Sequence, residues 1–161
     1  MAVTPNWLGV VAQLHIAPRA FLPMRGMETI ELVEGRGIAG DRYMLGTEQG
    51  FYSDKPEEGR QITLFEEEVL DALRRDYGIT MLPEEHRRNV TTRGVPLNHL
   101  VGRRFQLGAC LLEATRLSIP CKHIEDILEK PVFNPMVHRS GLNCRILAGG
   151  TVRVGDAIRP A

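Results

Sequence analysis

The sequence predicts a mainly β fold with a few helices (α+β), closed or nearly closed into a β-barrel. Three observations carry that reading. Apolar runs are short and strand-like; 16 glycines and 10 prolines punctuate 161 residues; and only two or three segments show helical spacing. Short strands with frequent turn signals favour a barrel over a βαβ sheet. No internal repeat or linker divides the chain, so residues 1–161 read as one domain large enough to bury a core.

Trp7 to Ile16 is rich in Val, Leu and Ile and is stopped by Pro18, which marks a first strand. Pro23 and Gly26 turn the chain into Thr29–Val33, an alternating second strand. Gly35, Gly37 and Gly40 then fall within six residues, where the backbone must turn sharply or approach something closely. The strand–loop–helix context of a dinucleotide site is lacking, and no GK[ST] follows. Gly46 to Gly59 is polar and charged, an exposed loop able to overhang a site.

Arg60–Leu64 is a short strand, followed by the clearest helix. Thr63 and Glu66 have capping-box spacing, and Phe65, Val69, Leu70, Leu73 and Tyr77 form an apolar stripe that stops at Gly78. Glu66–Glu68 at its start and Arg74 and Arg75 at its end match the helix dipole. Leu82–Glu85 is a short helical turn leading to Arg87–Thr92, where basic and amide groups precede a β-branched run. After a short Leu97–Val101 segment, strands Arg103–Leu107 and Cys110–Leu117 meet at Gly108-Ala109. Ile124, Ile127 and Leu128 are helically spaced before Pro131, and Phe133–Pro135 is a turn. A glycine corner at Gly141 runs into a strand through Leu147. Gly149-Gly150 is expected to make a hairpin to Thr151–Val154, and Gly155-Asp156 another to Ala157–Arg159.

The formal net charge is zero, which excludes a nucleic-acid binder by bulk field. The 20 basic residues comprise only three lysines (Lys55, Lys122, Lys130), the other 17 being arginine, the better fork for phosphate and carboxylate. Cys110, Cys121 and Cys144 form no CxxC and leave an odd count, against a disulfide framework, a four-cysteine zinc site or an all-cysteine iron–sulfur cluster. Gln13 and His15 break the first apolar run, so no signal peptide or membrane span is expected, and a reducing cytoplasm is the expected location.

The chemistry concentrates at Ser118-Ile119-Pro120-Cys121-Lys122-His123. Proline pushes Ile119 toward an extended conformation and delivers Cys121 to a helix start. Backbone N–H groups there, with Lys122 and His123 adjacent, favour the thiolate, which attacks electrophiles and binds soft metals. A lone cysteine is also commonly a small buried hydrophobe. Cys121, His123 and His138 form a CxH…H set that zinc would accept, but a fourth ligand is missing.

The ordered set Gly37-Ile38-Ala39-Gly40-Asp41-Arg42, Arg60–Leu64, Arg88-Asn89, Pro120-Cys121, Arg139-Ser140-Gly141 and Gly149–Ile158 resembles the MOSC domain family. That module occurs at the C-terminus of molybdenum cofactor sulfurases and as stand-alone bacterial proteins, and the resemblance runs from Trp7 to Ile158. It implies a β-rich barrel of the MOSC type, with a cleft holding the cysteine that matches Cys121. It also implies the molybdenum cofactor, a pterin dithiolene with a phosphate, whose metal the cysteine binds. Soft metal wants thiolate, and an anionic phosphate wants arginine forks and backbone N–H groups. Where relatives more often carry a small residue and an aromatic after the Gly141 corner, this chain reads Leu142-Asn143-Cys144-Arg145. Cys144 is thus a second thiol near the cleft or core packing.

On that resemblance Cys121 is the expected metal ligand and catalytic residue, and Arg88, Asn89, Arg139, Asp41 and Arg42 are the candidates for cofactor contact. Turn capping competes at Arg88 and Asn89, and an internal ion pair at Asp41 and Arg42. The implied activity is reduction of small N-hydroxylated or other N–O substrates. With no ferredoxin-like segment in the sequence, electrons would come from a separate donor protein. A Cys121 persulfide carrier and a non-catalytic cofactor-binding module are the alternatives.

Overall fold

The computed structural model describes residues 1–45 and 59–161, so the expected loop at Gly46 to Gly59 lies, Gly59 apart, outside the described residues. The described residues form eleven strands: β1 (Gly9–Ile16), β2 (Arg25–Met27), β3 (Thr29–Val33), β4 (Gly37–Ile38), β5 (Ile62–Glu66), β6 (Val90–Arg93), β7 (Arg104–Leu107), β8 (Cys110–Leu117), β9 (Leu142–Ala148), β10 (Gly150–Arg153) and β11 (Ala157–Pro160). Three helices join them: α1 (Arg42–Leu45), α2 (Glu67–Tyr77) and α3 (Lys122–Leu128). The strand order β11-β7-β8-β9-β5-β6-β1, with β11 pairing back onto β1, closes a seven-stranded barrel. Strand β2 extends from β1, while β10, β3 and β4 form a separate small sheet. No described helix is long and apolar enough to cross a membrane.

Strand alternation builds the core. Ile62 and Leu64 of β5 join Leu112 and Ala114 of β8 and Leu142, Cys144 and Ile146 of β9 in the main apolar cluster. Each fully buried Leu, Ile or Phe contributes about 1.5–3 kcal/mol relative to exposure. Phe65, one step on from Leu64, joins a second cluster instead, with Val69 and Leu73 of α2, Met81, Ile124 of α3, Val132 and Met136. This cluster seats α3 against the barrel, and Cys121 packs against its edge. Strands β5 and β6 pair in parallel across α2, a single βαβ unit within an otherwise antiparallel barrel.

Three expectations need correction. The helix does not begin at Thr63. Strand β5 continues through Glu66 because Thr63 pairs with Asn143 and Leu64–Glu66 pair with Val90–Thr92, so α2 begins at Glu67 and Phe65 belongs to the strand. Its left-handed stop at Gly78 (φ 67°) is as expected. Nor does Gly149-Gly150 or Gly155-Asp156 close a hairpin. β9 pairs with β5 and β8, whereas β10 crosses to pair with β3 and β11 pairs with β7 and β1. The crossing is so close that a Cβ on Gly149 would lie 2.3 Å from Leu32 O.

Candidate functional site

At the end of β8 the chain leaves the barrel as an arch. Ser118 N–H donates to Gly141 O (2.8 Å), and Ser118 Oγ pairs with Asn143 Oδ1 (2.7 Å), which ties the arch to the start of β9. Ile119 projects into solvent at 78% exposure, Pro120 turns the chain, and Cys121 occupies the residue before α3 with extended backbone (φ −116°, ψ 125°). The corner that receives the arch is rigid. Gly141 has φ +101°, and a Cβ there would meet Leu64 O at 2.2 Å.

Cys121 lines a cavity of about 500 Å³ whose described wall also contains Arg60, Arg88, Arg116, Lys122 and Asn143. Four cations and no carboxylate stand on that described wall, in a chain whose formal net charge is zero. Lys122 is ion-paired at 3.0 Å to Glu125 on its own helix, with its ammonium side chain 73% exposed. Arg60 also lies over the Tyr43 ring, 5.0 Å from its centroid. Cys121 is the cysteine of this site. Cys110 and Cys144 are buried in the main core, where burial pushes both thiols up from their ordinary range.

The other expected contact residues separate. Arg88 is on the cavity wall. Asn89, its neighbour, is fully buried on the opposite side: its Oδ1 accepts from Thr63 N–H and Oγ–H (both 3.0 Å), and its Nδ2 donates to His15 O (3.2 Å). It therefore joins β1, β5 and the entry to β6. Arg139 turns toward α2, its Nε donating to Pro135 O (2.7 Å) and its Nη1 lying 3.5 Å from Asp76, because the left-handed His138 (φ 67°) redirects the chain just before it.

Asp41 and Arg42 form an internal ion pair at 3.3 Å, with side chains 0% and 5% exposed. Asp41 accepts from Ala17 N–H (3.0 Å), and Arg42 Nη2 donates to Arg87 O (3.0 Å) and Tyr43 Oη (3.0 Å). Burial raises the Asp41 carboxyl, against the pull of Arg42 and the backbone donors. Among the described residues no group of three His, Cys, Asp or Glu gathers to hold a metal ion, so Cys121, His123 and His138 do not converge as a set. His123 instead meets the Phe21 ring edge-on (4.2 Å), and His138 O accepts from Asn98 Nδ2.

Arg60, Arg116 and Asn143 are functional candidates that the sequence did not single out, and Lys122 was expected only to favour the Cys121 thiolate. Arg116 carried a signal: it breaks the alternation of β8, where the register slips between Ala114 and Arg116. The donor set fits the group that the sequence resemblance implies. A thiol partly open to the cavity suits a soft metal, and guanidinium and ammonium groups suit the phosphate end of an anionic pterin.

The sequence pattern of the MOSC domain matches residues 38–159. Among solved structures, the YuaD protein of Bacillus subtilis superposes with a TM-score of 0.80 at 22% identity, covering 96% of each chain. YiiM from Geobacillus stearothermophilus gives 0.72 at 12% identity, over 95% of this chain and 75% of its own. YiiM from Escherichia coli gives 0.65 at 14% identity, over 98% and 70%. No curated protein matches the sequence. The structural likenesses establish the fold, and the match over residues 38–159 establishes the family: this chain belongs to the MOSC domain family.

Proposed function

We propose that this protein binds the molybdenum cofactor in the cavity beside Cys121 and reduces small N-hydroxylated or related N–O compounds. The observation that carries the reading is the meeting, in one cavity, of a partly exposed cysteine and four cationic side chains with no described carboxylate among them. Cys121 would be the thiolate ligand of the metal. Arg60, just before β5, and Arg116 of β8 would hold the phosphate, with Lys122 and Arg88 adding to the positive field. When bound, the cofactor supplies two-electron redox chemistry. The substrate's N–O bond breaks, and an N–H and water form as two electrons and two protons are taken up. A separate electron-donor protein supplies those electrons. Asn143, held by Ser118, presents its amide to the same space.

Elemental analysis of wild type and Cys121→Ala, both purified from a host that makes the cofactor, tests the assignment. Molybdenum in the wild type and its loss in the variant are expected. Equal molybdenum in both would remove Cys121 as ligand. Cyanide-labile sulfur on Cys121 without molybdenum would replace the reading with the sulfur carrier.

A further inference from the structure

Arg88 stands on the cavity wall, yet two arms of its guanidinium are already engaged by the protein. Nε donates to Ser140 O (3.1 Å), immediately before the Gly141 corner, and Nη2 reaches Ile119 O (3.4 Å) in the arch. Its backbone is fixed from behind as well. Arg88 N–H donates to His86 Nδ1 (2.9 Å), which leaves His86 Nε2 to donate to Thr91 Oγ1 (2.8 Å) and sets the tautomer. The His86 ring is 1% exposed and stacks on Phe65 at 4.2 Å. The Ile119 carbonyl, accepting from Arg88, is a handle by which the barrel can hold the two residues that precede Cys121.

We infer that Arg88 is a positioning residue for Cys121, its planar fork clamping the arch through Ile119 O to the Gly141 corner through Ser140 O. This rests on the reading of Cys121 as the metal ligand, but the clamp is a property of the protein without cofactor. A lysine in its place keeps the charge and loses the fork, since a single ammonium on a flexible stem cannot span both carbonyls in fixed geometry. Charge and clamp therefore separate in one substitution.

The test uses cofactor-free protein with a nitroxide on Cys121, the cysteine left accessible by the burial of Cys110 (1% exposed) and Cys144 (0%). Wild type should give an immobilised spectrum. Arg88→Lys and Arg88→Met should both shift it toward fast motion, lowering the immobile-to-mobile ratio about tenfold, the scale of a lost charge-assisted hydrogen bond. An Arg88→Lys spectrum like wild type would overturn the clamp, as would a fall in melting temperature with no change in the spectrum. Should neither variant fold, the Arg88 Nε–H resonance of wild type decides: protection from solvent exchange supports the clamp, and exchange at the rate of a free arginine overturns it. None of these readouts depends on molybdenum, so failure of the clamp and failure of the cofactor reading are distinguishable.

Discussion

Two groups of arginines sit on this barrel under opposite rules. Arg42 is buried against Asp41, and its Nη2 donates to Arg87 O and Tyr43 Oη. Arg60, Arg88 and Arg116 share a cavity wall with Lys122 and Cys121, and no carboxylate is among the described residues that line it. The first group is neutralised from within the fold. The second concentrates positive charge where a ligand can meet it. Burial of a charge with its counter-ion marks architecture; convergence of like charges on a cavity marks binding.

The largest expected effect breaks the first group. Asp41→Ala strands the Arg42 guanidinium in the interior, and urea denaturation should show a loss of about 3–5 kcal/mol. A loss below ~1 kcal/mol would put the pair on the footing of a surface ion pair. The second group should respond the other way. Arg116→Ala should leave stability within ~0.5 kcal/mol of wild type. It should weaken binding of a phosphate-bearing pterin about tenfold in calorimetry. A variant that loses stability but not affinity would move Arg116 into the architectural class.

The smallest effect probes His86, buried against Phe65 and bonded to Thr91 and to the Arg88 N–H. Burial, with Arg88 and His15 nearby, holds its imidazole well below the ordinary value of 6.5. Below pH 6.5 the unfolded chain takes up a proton that the folded state refuses, so this residue's share of stability is lost as pH falls. The slope is at most about 1.4 kcal/mol per pH unit. Glu66 opposes it. Burial and Glu68 raise its carboxyl from 4.5 to about 7, so between those values the folded state holds the extra proton. The difference in slope between wild type and His86→Gln from pH 6.5 to 5.5 isolates the histidine. Equal slopes would mean that His86 is not held neutral.

The sequence carried most of the barrel because its signals are local. Alternation in Thr29–Val33 buries Ile30 and Leu32, and the strand assigned to Cys110–Leu117 is the one observed. Where non-local pairing competed, local reading failed. Thr63 looked like a helix cap until β9 and Asn89 claimed it for a strand, and Gly149-Gly150 looked like a hairpin until β3 claimed β10. The site divides in the same way. Pro120-Cys121 announces itself locally. Arg88 and Asn89 are neighbours in sequence, but at the bend that leads into β6 one reaches the cavity and the other the interior. Arg60 lies just before β5, Arg116 on β8 and Asn143 on β9, and they meet because β9 pairs with both β5 and β8, which no single stretch encodes.

Closure of the ring has a consequence for biosynthesis. Strand β11 pairs with β7 on one side and with β1 on the other. Until residues 157–160 leave the ribosome, β1 and β7 both keep unpaired main-chain edges. The described cavity wall, from Arg60 to Asn143, is synthesised before then, on a sheet still open at one seam. Sealing that seam joins strands from opposite ends of the sequence, the kind of distant contact that slows folding. The nascent protein is therefore most exposed to aggregation in the interval between completing its site and closing its barrel.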